Sequence, residues 1–150
     1  SQQSQLYFKQ LKKEIKWKHE SIRMFGKWVM QPRLTAWYGD SDASYTYSGK
    51  TMEPIPWNPL LISLKKTIES KLHHSFNSVL LNYYRHQRDS MGWHRDNERS
   101  LGPQPTIASV SFGEERSFQF RRYRGKKKAV LSVQWIVPLF GHRVYSFQLW

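Results

Sequence analysis

Ser78-Val79-Leu80-Leu81-Asn82-Tyr83-Tyr84, followed after a polar connection by Asp89-Ser90-Met91-Gly92-Trp93-His94-Arg95-Asp96-Asn97-Glu98, is the stretch on which the fold turns. The first run is apolar and aromatic, the composition of a strand. The second opens with turn formers and carries an imidazole and a carboxylate two residues apart. On extended backbone that spacing aims His94 and Asp96 to the same side. A neutral imidazole and a hard carboxylate, completed by one distant histidine, form the donor set that leaves positions open on Fe(II). An ordinary surface His–Asp pair has the same spacing, so both readings stay open here.

Outward from this stretch, Asn58-Pro59 supplies an N-cap and a first-turn proline, and Leu61, Leu64, Ile68 and Leu72 continue at helical spacing to about residue 74. Nearer the start, Tyr7, Leu11 and Ile15 fall four apart among Lys and Glu, predicting a short amphipathic helix over residues 5–16. Residues 22–37, rich in β-formers and broken by Gly26 and Pro32, read as two strands leading to a turn at Tyr38-Gly39-Asp40. Beyond the central stretch, residues 106–112, 116–123 and 129–137 are further strand candidates. Strands after helices, with no internal repeat or linker, predict a single α+β domain over residues 1–150.

Lys and Arg number 24 against 11 Asp and Glu, a net charge of +13, which favours a polyanionic partner and salt-sensitive binding. Residues 121–128 hold six of these cations around Gly125, a hairpin tip projecting into solvent or a phosphate contact. Seven Trp, eight Tyr and eight Phe are too many for a disordered basic tail. With no cysteine, disulfides and thiolate metal sites are excluded and any metal must be held by His, Asp or Glu. No apolar run of about 18 residues exists and the first residues lack a signal-peptide pattern, so we expect an intracellular protein without membrane attachment, cytoplasmic if bacterial and nuclear if eukaryotic.

Met30-Gln31-Pro32-Arg33, Trp37-Tyr38-Gly39-Asp40 and Tyr45-Thr46-Tyr47-Ser48-Gly49 resemble, in order and spacing, the substrate side of AlkB-type Fe(II)- and 2-oxoglutarate-dependent dioxygenases. Residues 76–84, Gly92-Trp93-His94-Arg95-Asp96-Asn97-Glu98 and Ile107-Ala108-Ser109-Val110-Ser111-Phe112-Gly113 resemble that family's core. The likeness runs over about residues 25–123 and is greatest to the branch acting on duplex DNA. It implies an α+β double-stranded β-helix, or jelly roll, with N-terminal helices packed on it. It further implies oxidative dealkylation of N-alkylated bases in DNA with Fe(II), O2 and 2-oxoglutarate, releasing an aldehyde, succinate and carbon dioxide.

By that resemblance His94 and Asp96 would hold the iron, while Asn82 and Tyr84 would hydrogen-bond the carboxylate end of 2-oxoglutarate. Tyr45, Tyr47 and Ser48 would line the pocket for an extruded base. Glu98 would face the damaged base, accepting an exocyclic amine and favouring a cationic ring. Phe25, in Met24-Phe25-Gly26, would be a finger pushed into the base stack, and Arg33 a phosphate contact. From pattern alone the tyrosines also suit cross-strand packing, Asn82 and Tyr84 a buried polar pair, Glu98 a solvated loop acid and Phe25 a core position.

The likeness fades near residue 133, and residues 134–150 are an atypical tail. The family pattern continues with a second metal histidine and two arginines on later strands. Here His142 is the only histidine downstream of Asp96, closer to it than the family pattern has, and is the candidate third ligand. The adjacent Arg143 is not assigned. We therefore expect the jelly roll to lack closing strands, to expose a sheet edge, and to associate through its apolar tail. An inactive truncated family member and a nucleic-acid-binding protein without redox chemistry remain alternatives.

Overall fold

Leu11 and Ile15, four residues apart, are buried together at the end of helix α1 (Gln2–Glu14), as their spacing requires. The structure, a computed structural model, describes residues 2–24, 26–43, 45–47, 50–94, 106–114, 116–121, 128–131 and 144–149. In helix α2 (Pro59–Leu72) the Asn58 side chain accepts from the Leu61 amide at 2.8 Å, and His73 closes the other end in the left-handed conformation at φ 50°.

The strands are β1 (Ser21–Met24), β2 (Lys27–Met30), β3 (Leu34–Gly39), β4 (Tyr45–Tyr47), β5 (Lys50–Met52), β6 (Ile55–Pro56), β7 (Ser78–Tyr84), β8 (Ala108–Gly113), β9 (Phe118–Arg121), β10 (Lys128–Leu131) and β11 (Val144–Leu149). A five-stranded sheet has the order β6-β3-β7-β11-β8, parallel at β3–β6 and antiparallel elsewhere. Three antiparallel ribbons, β1–β2, β4–β5 and β9–β10, complete the described residues, which form no closed barrel. Helices and sheets are both present, as expected of an α+β chain.

Alternation along the strands gives the large sheet two faces. Ala36 and Tyr38 of β3, Val79, Leu81 and Tyr83 of β7, Ala108 and Phe112 of β8, and Leu149 of β11 belong to one core with Leu11, Ile15, Leu60, Leu61 and Phe76. Tyr7 of α1 meets Phe112 at a ring-centroid separation of 5.9 Å, which seats that helix on the sheet. The register then sets Thr35, Asn82, Ser146 and Ser111 in one polar row across four strands.

Gly39 explains part of the Trp37-Tyr38-Gly39-Asp40 motif: a Cβ there would stand 2.9 Å from the Asn77 carbonyl oxygen. Only a glycine lets β3 approach the start of β7 so closely. Asp40 then accepts from Trp57 Nε1 at 2.8 Å, tying the turn to the segment before α2.

The tail was expected to leave the jelly roll without closing strands and with an exposed sheet edge; residues 144–149 form β11 in the interior of the large sheet, between β7 and β8, with Leu149 only 3% exposed, and β6 and β8 are the edges of that sheet. The backbone N–H and C=O groups of this strand are paired on both sides, and residues 134–143 and 150 of the tail lie outside the described residues. The strand expected over residues 129–137 is described only as β10, and residues 122–127 of the basic run lie outside the described residues.

Candidate functional site

On β7, Asn82 and Tyr84 share the face opposite to Leu81 and Tyr83. Asn82 is 0% exposed. Its Oδ1 accepts from Arg33 Nε at 2.8 Å, while its Nδ2 is buried without a hydrogen-bond partner among the described residues. Buried amide donors are as a rule satisfied, so this one is a place where an acceptor from outside the described residues fits. The neighbouring Thr35 donates its hydroxyl to Glu20 Oε2 at 3.0 Å.

Arg33 comes from the turn before β3, and the same guanidinium reaches across through Nη1 to the Ser90 carbonyl at 3.3 Å. Burial pushes its pKa below the ordinary value, with Tyr84 and Asp89 pulling the other way. Among the described residues this guanidinium bonds within the chain, to Asn82 and to Ser90.

The segment that leads from Tyr84 to His94 is clamped. Asp89 is 1% exposed, and its carboxylate accepts from the Arg85 amide at 2.9 Å and from Arg85 Nε and Nη2 at 2.8 and 3.0 Å. Hydrogen bonding by the Arg85 side chain, the largest influence, holds the Asp89 carboxyl below the usual carboxylate range against the opposing effect of burial. The same pairing raises Arg85. From the far side Arg116 donates to the carbonyls of Asp89 and His86, and its guanidinium carbon lies 4.6 Å from the centre of the Tyr84 ring. Ser90 donates its amide to the Pro32 carbonyl at 2.8 Å, closing the segment against the turn that carries Arg33.

At the end of this segment His94 is exposed, with Nδ1 3.0 Å from the Gly92 carbonyl oxygen. An Nδ1–H donating to that carbonyl fixes the tautomer in which Nε2 carries the lone pair, the arrangement of an imidazole ligand. Asp96 and His142 lie outside the described residues, as do Glu98, Phe25 and Ser48. Among the described residues no group of three or more His, Cys, Asp or Glu is placed to hold a metal. Tyr45 and Tyr47 are described by their backbone alone, on β4, in register with Met52 and Lys50.

The structure thus brings together Asn82, Tyr84, Arg33 and the segment ending at His94. The donors fit the implied groups in kind: Nδ2 of Asn82 is a buried hydrogen-bond donor beside a cation, suited to a carboxylate, and His94 with Asp96 is an N,O pair suited to Fe(II). Asp89 and Arg116 were missed in the sequence reading. The signal available was a lone carboxylate in Arg85-His86-Gln87-Arg88-Asp89, which burial among cations accounts for.

A model of the 2OG-Fe(II) oxygenase superfamily matches residues 1–135. The chain is 50% identical over 116 residues to alpha-ketoglutarate-dependent dioxygenase alkB homolog 3 of Bos taurus, covering 77% of this chain and 40% of that protein. Against the Homo sapiens protein of that name the identity is 49% over 114 residues, 75% of this chain and 39% of the relative. DNA oxidative demethylase ALKBH2 of Homo sapiens is 41% identical over 125 residues, 81% of this chain and 48% of that protein. The chain therefore spans about two-fifths to half the length of these curated relatives.

Proposed function

The chain belongs to the 2OG-Fe(II) oxygenase superfamily, and from that premise we propose that it removes alkyl groups oxidatively from the bases of nucleic acid, DNA in particular. The observation that carries this reading is the buried Nδ2 of Asn82, a donor without a partner among the described residues and of the kind an anionic co-substrate takes up. Its relatives' names, dioxygenase dependent on alpha-ketoglutarate and DNA oxidative demethylase, supply the reaction class.

In this reading His94 and Asp96 would hold the iron, with His142 the candidate for a third ligand. When bound, Fe(II) with 2-oxoglutarate and O2 supplies the oxidising power that hydroxylates the alkyl carbon, with succinate, carbon dioxide and an aldehyde as products. Asn82 and Tyr84 bind the co-substrate carboxylate, and the Arg85–Asp89–Arg116 clamp keeps the His94 segment at a fixed distance from them. The five-stranded sheet serves as one sheet of a jelly roll.

Substrate engagement falls to the β1–β2 hairpin, the tyrosines of β4 and Glu98. The hairpin exposes Ile22, Trp28, Val29 and Met30 beside Arg23 and Lys27, with Trp28 73% exposed. An aromatic ring on a basic ribbon offers a base a stacking surface and the backbone a counter-charge. No helix among the described residues is long and apolar enough to cross a membrane. An intracellular site of action suits a nucleic-acid substrate and a cysteine-free chain.

The test is succinate release after anaerobic loading with Fe(II) and 2-oxoglutarate and admission of O2, with N-methylated oligonucleotides as single strands and as duplexes. Succinate and demethylated base from the parent, both lost in His94→Ala, are expected; the preferred oligonucleotide reports strand state. Salt-sensitive binding to methylated and plain oligonucleotides alike, without succinate, would replace this reading with a charge-driven nucleic-acid-binding protein.

A further inference from the structure

We infer that Arg33 is a positioning residue for 2-oxoglutarate: it fixes which end of the Asn82 amide faces the co-substrate. The inference rests on the co-substrate role proposed above for Asn82. A carboxamide is nearly symmetric in shape, and its oxygen and nitrogen exchange places by rotation about one bond. Only the nitrogen end can donate to a carboxylate. In this buried position no solvent is at hand to choose between the two orientations, since Asn82 is 0% exposed.

Arg33 makes the choice. A guanidinium has donors and no acceptor, so the atom that meets Arg33 Nε at 2.8 Å must be Oδ1. Nδ2 is thereby turned the other way, where it has no partner. Were the amide reversed, two donors would confront each other in a buried site. The guanidinium is itself held by the Ser90 carbonyl at 3.3 Å, and the turn bearing it by the bond from the Ser90 amide to Pro32. The segment carrying His94 and the orientation of Asn82 are thus referred to one side chain.

Equilibrium binding of 2-oxoglutarate, followed by calorimetry under anaerobic conditions with Fe(II) present, tests this without turnover. Arg33→Met, which has no donor, is expected to weaken 2-oxoglutarate by roughly 10- to 100-fold, the worth of a hydrogen bond to a charged group. Fe(II) binding alone should stay at parent strength, because Asp89 and Arg116 still hold the His94 segment. Arg33→Lys, another pure donor, should recover part of the loss. Arg33→Gln should not, since its amide can accept from Nδ2 as readily as donate to Oδ1.

Double replacement with Asn82→Ala should bind no more weakly than Asn82→Ala alone, since the two residues act through one group. Arg33→Met and Arg33→Gln binding at parent strength while Asn82→Ala is impaired overturns the inference and leaves the functional reading intact. Asn82→Ala binding at parent strength, or a parent chain that binds no 2-oxoglutarate, removes the co-substrate role and the inference with it. Should Arg33→Met lower the thermal midpoint, Lys and Gln decide, both being polar chains of similar reach: equal binding by the two overturns it.

Discussion

One strand serves two surfaces that have opposite energetics. Leu81 and Tyr83 of β7 point into the core beneath the helices, while Asn82 and Tyr84, one residue away in each case, look to the other side. The apolar face is finished: its side chains bury one another and ask for nothing further. The polar face is unfinished, with a buried amide nitrogen lacking a partner and a guanidinium drawn partly out of water. A period of two in the sequence is therefore enough to separate what stabilises the chain from what equips it to bind.

That contrast can be broken by experiment. The largest stability loss is expected from Leu81→Ala on the finished face, about 2–5 kcal/mol by chemical denaturation, because the side chain is 0% exposed and its removal leaves a cavity. A loss under about 1 kcal/mol would show that this face is not the load on which folding depends. Next comes Asp89→Asn, expected to cost about 1–3 kcal/mol by weakening three hydrogen bonds from Arg85 to a buried carboxylate.

Asp89 also sharpens the contrast through pH. Its folded-state pKa is depressed, chiefly by the Arg85 hydrogen bond. The stability it contributes is thus fully present above the ordinary carboxylate value of about 4 and is lost as pH falls through the lowered one. Thermal midpoints measured from pH 6 downward should fall more steeply for the parent than for Asp89→Asn; parallel curves would refute the clamp.

Smaller effects are expected nearer the surface. Thr35→Val, which removes the hydroxyl donated to Glu20 and keeps the shape, should cost about 1 kcal/mol. Trp28→Ala should change stability by less than about 0.5 kcal/mol, since the ring is 73% exposed. The same variant should weaken oligonucleotide binding several-fold at fixed salt, as expected for loss of one stacking surface worth about 1–3 kcal/mol. Unchanged binding would take the hairpin out of the substrate path.

Local chemistry made much of this readable in advance. The N-cap at Asn58, the four-residue spacing of Leu11 and Ile15, and the apolar run of β7 each specify an element from neighbours in sequence, and each is where that reasoning puts it. The pairing of Asn82 and Tyr84 on one face follows from strand period alone. The bond from Arg33 to Asn82 was not legible, because its partner is 49 residues away in sequence and the pairing is made across the sheet. Asp89 was passed over because a carboxylate among cations looks like an ordinary solvated charge until burial is known.

The tail divides the two kinds of knowledge most sharply. Sequence by itself determined that the tail is apolar, that the chain is strongly basic, and that His94 and Asp96 stand two apart in a pattern resembling one dioxygenase family. Only the tertiary structure decided that β11 lies between β7 and β8, that Arg33 turns inward onto Asn82, and that Arg116 reaches back to the carbonyls of His86 and Asp89. Strand propensity is a property of neighbouring residues, whereas the choice of partner strand is set by which long-range pairing satisfies the most backbone groups and buries the most apolar surface at once.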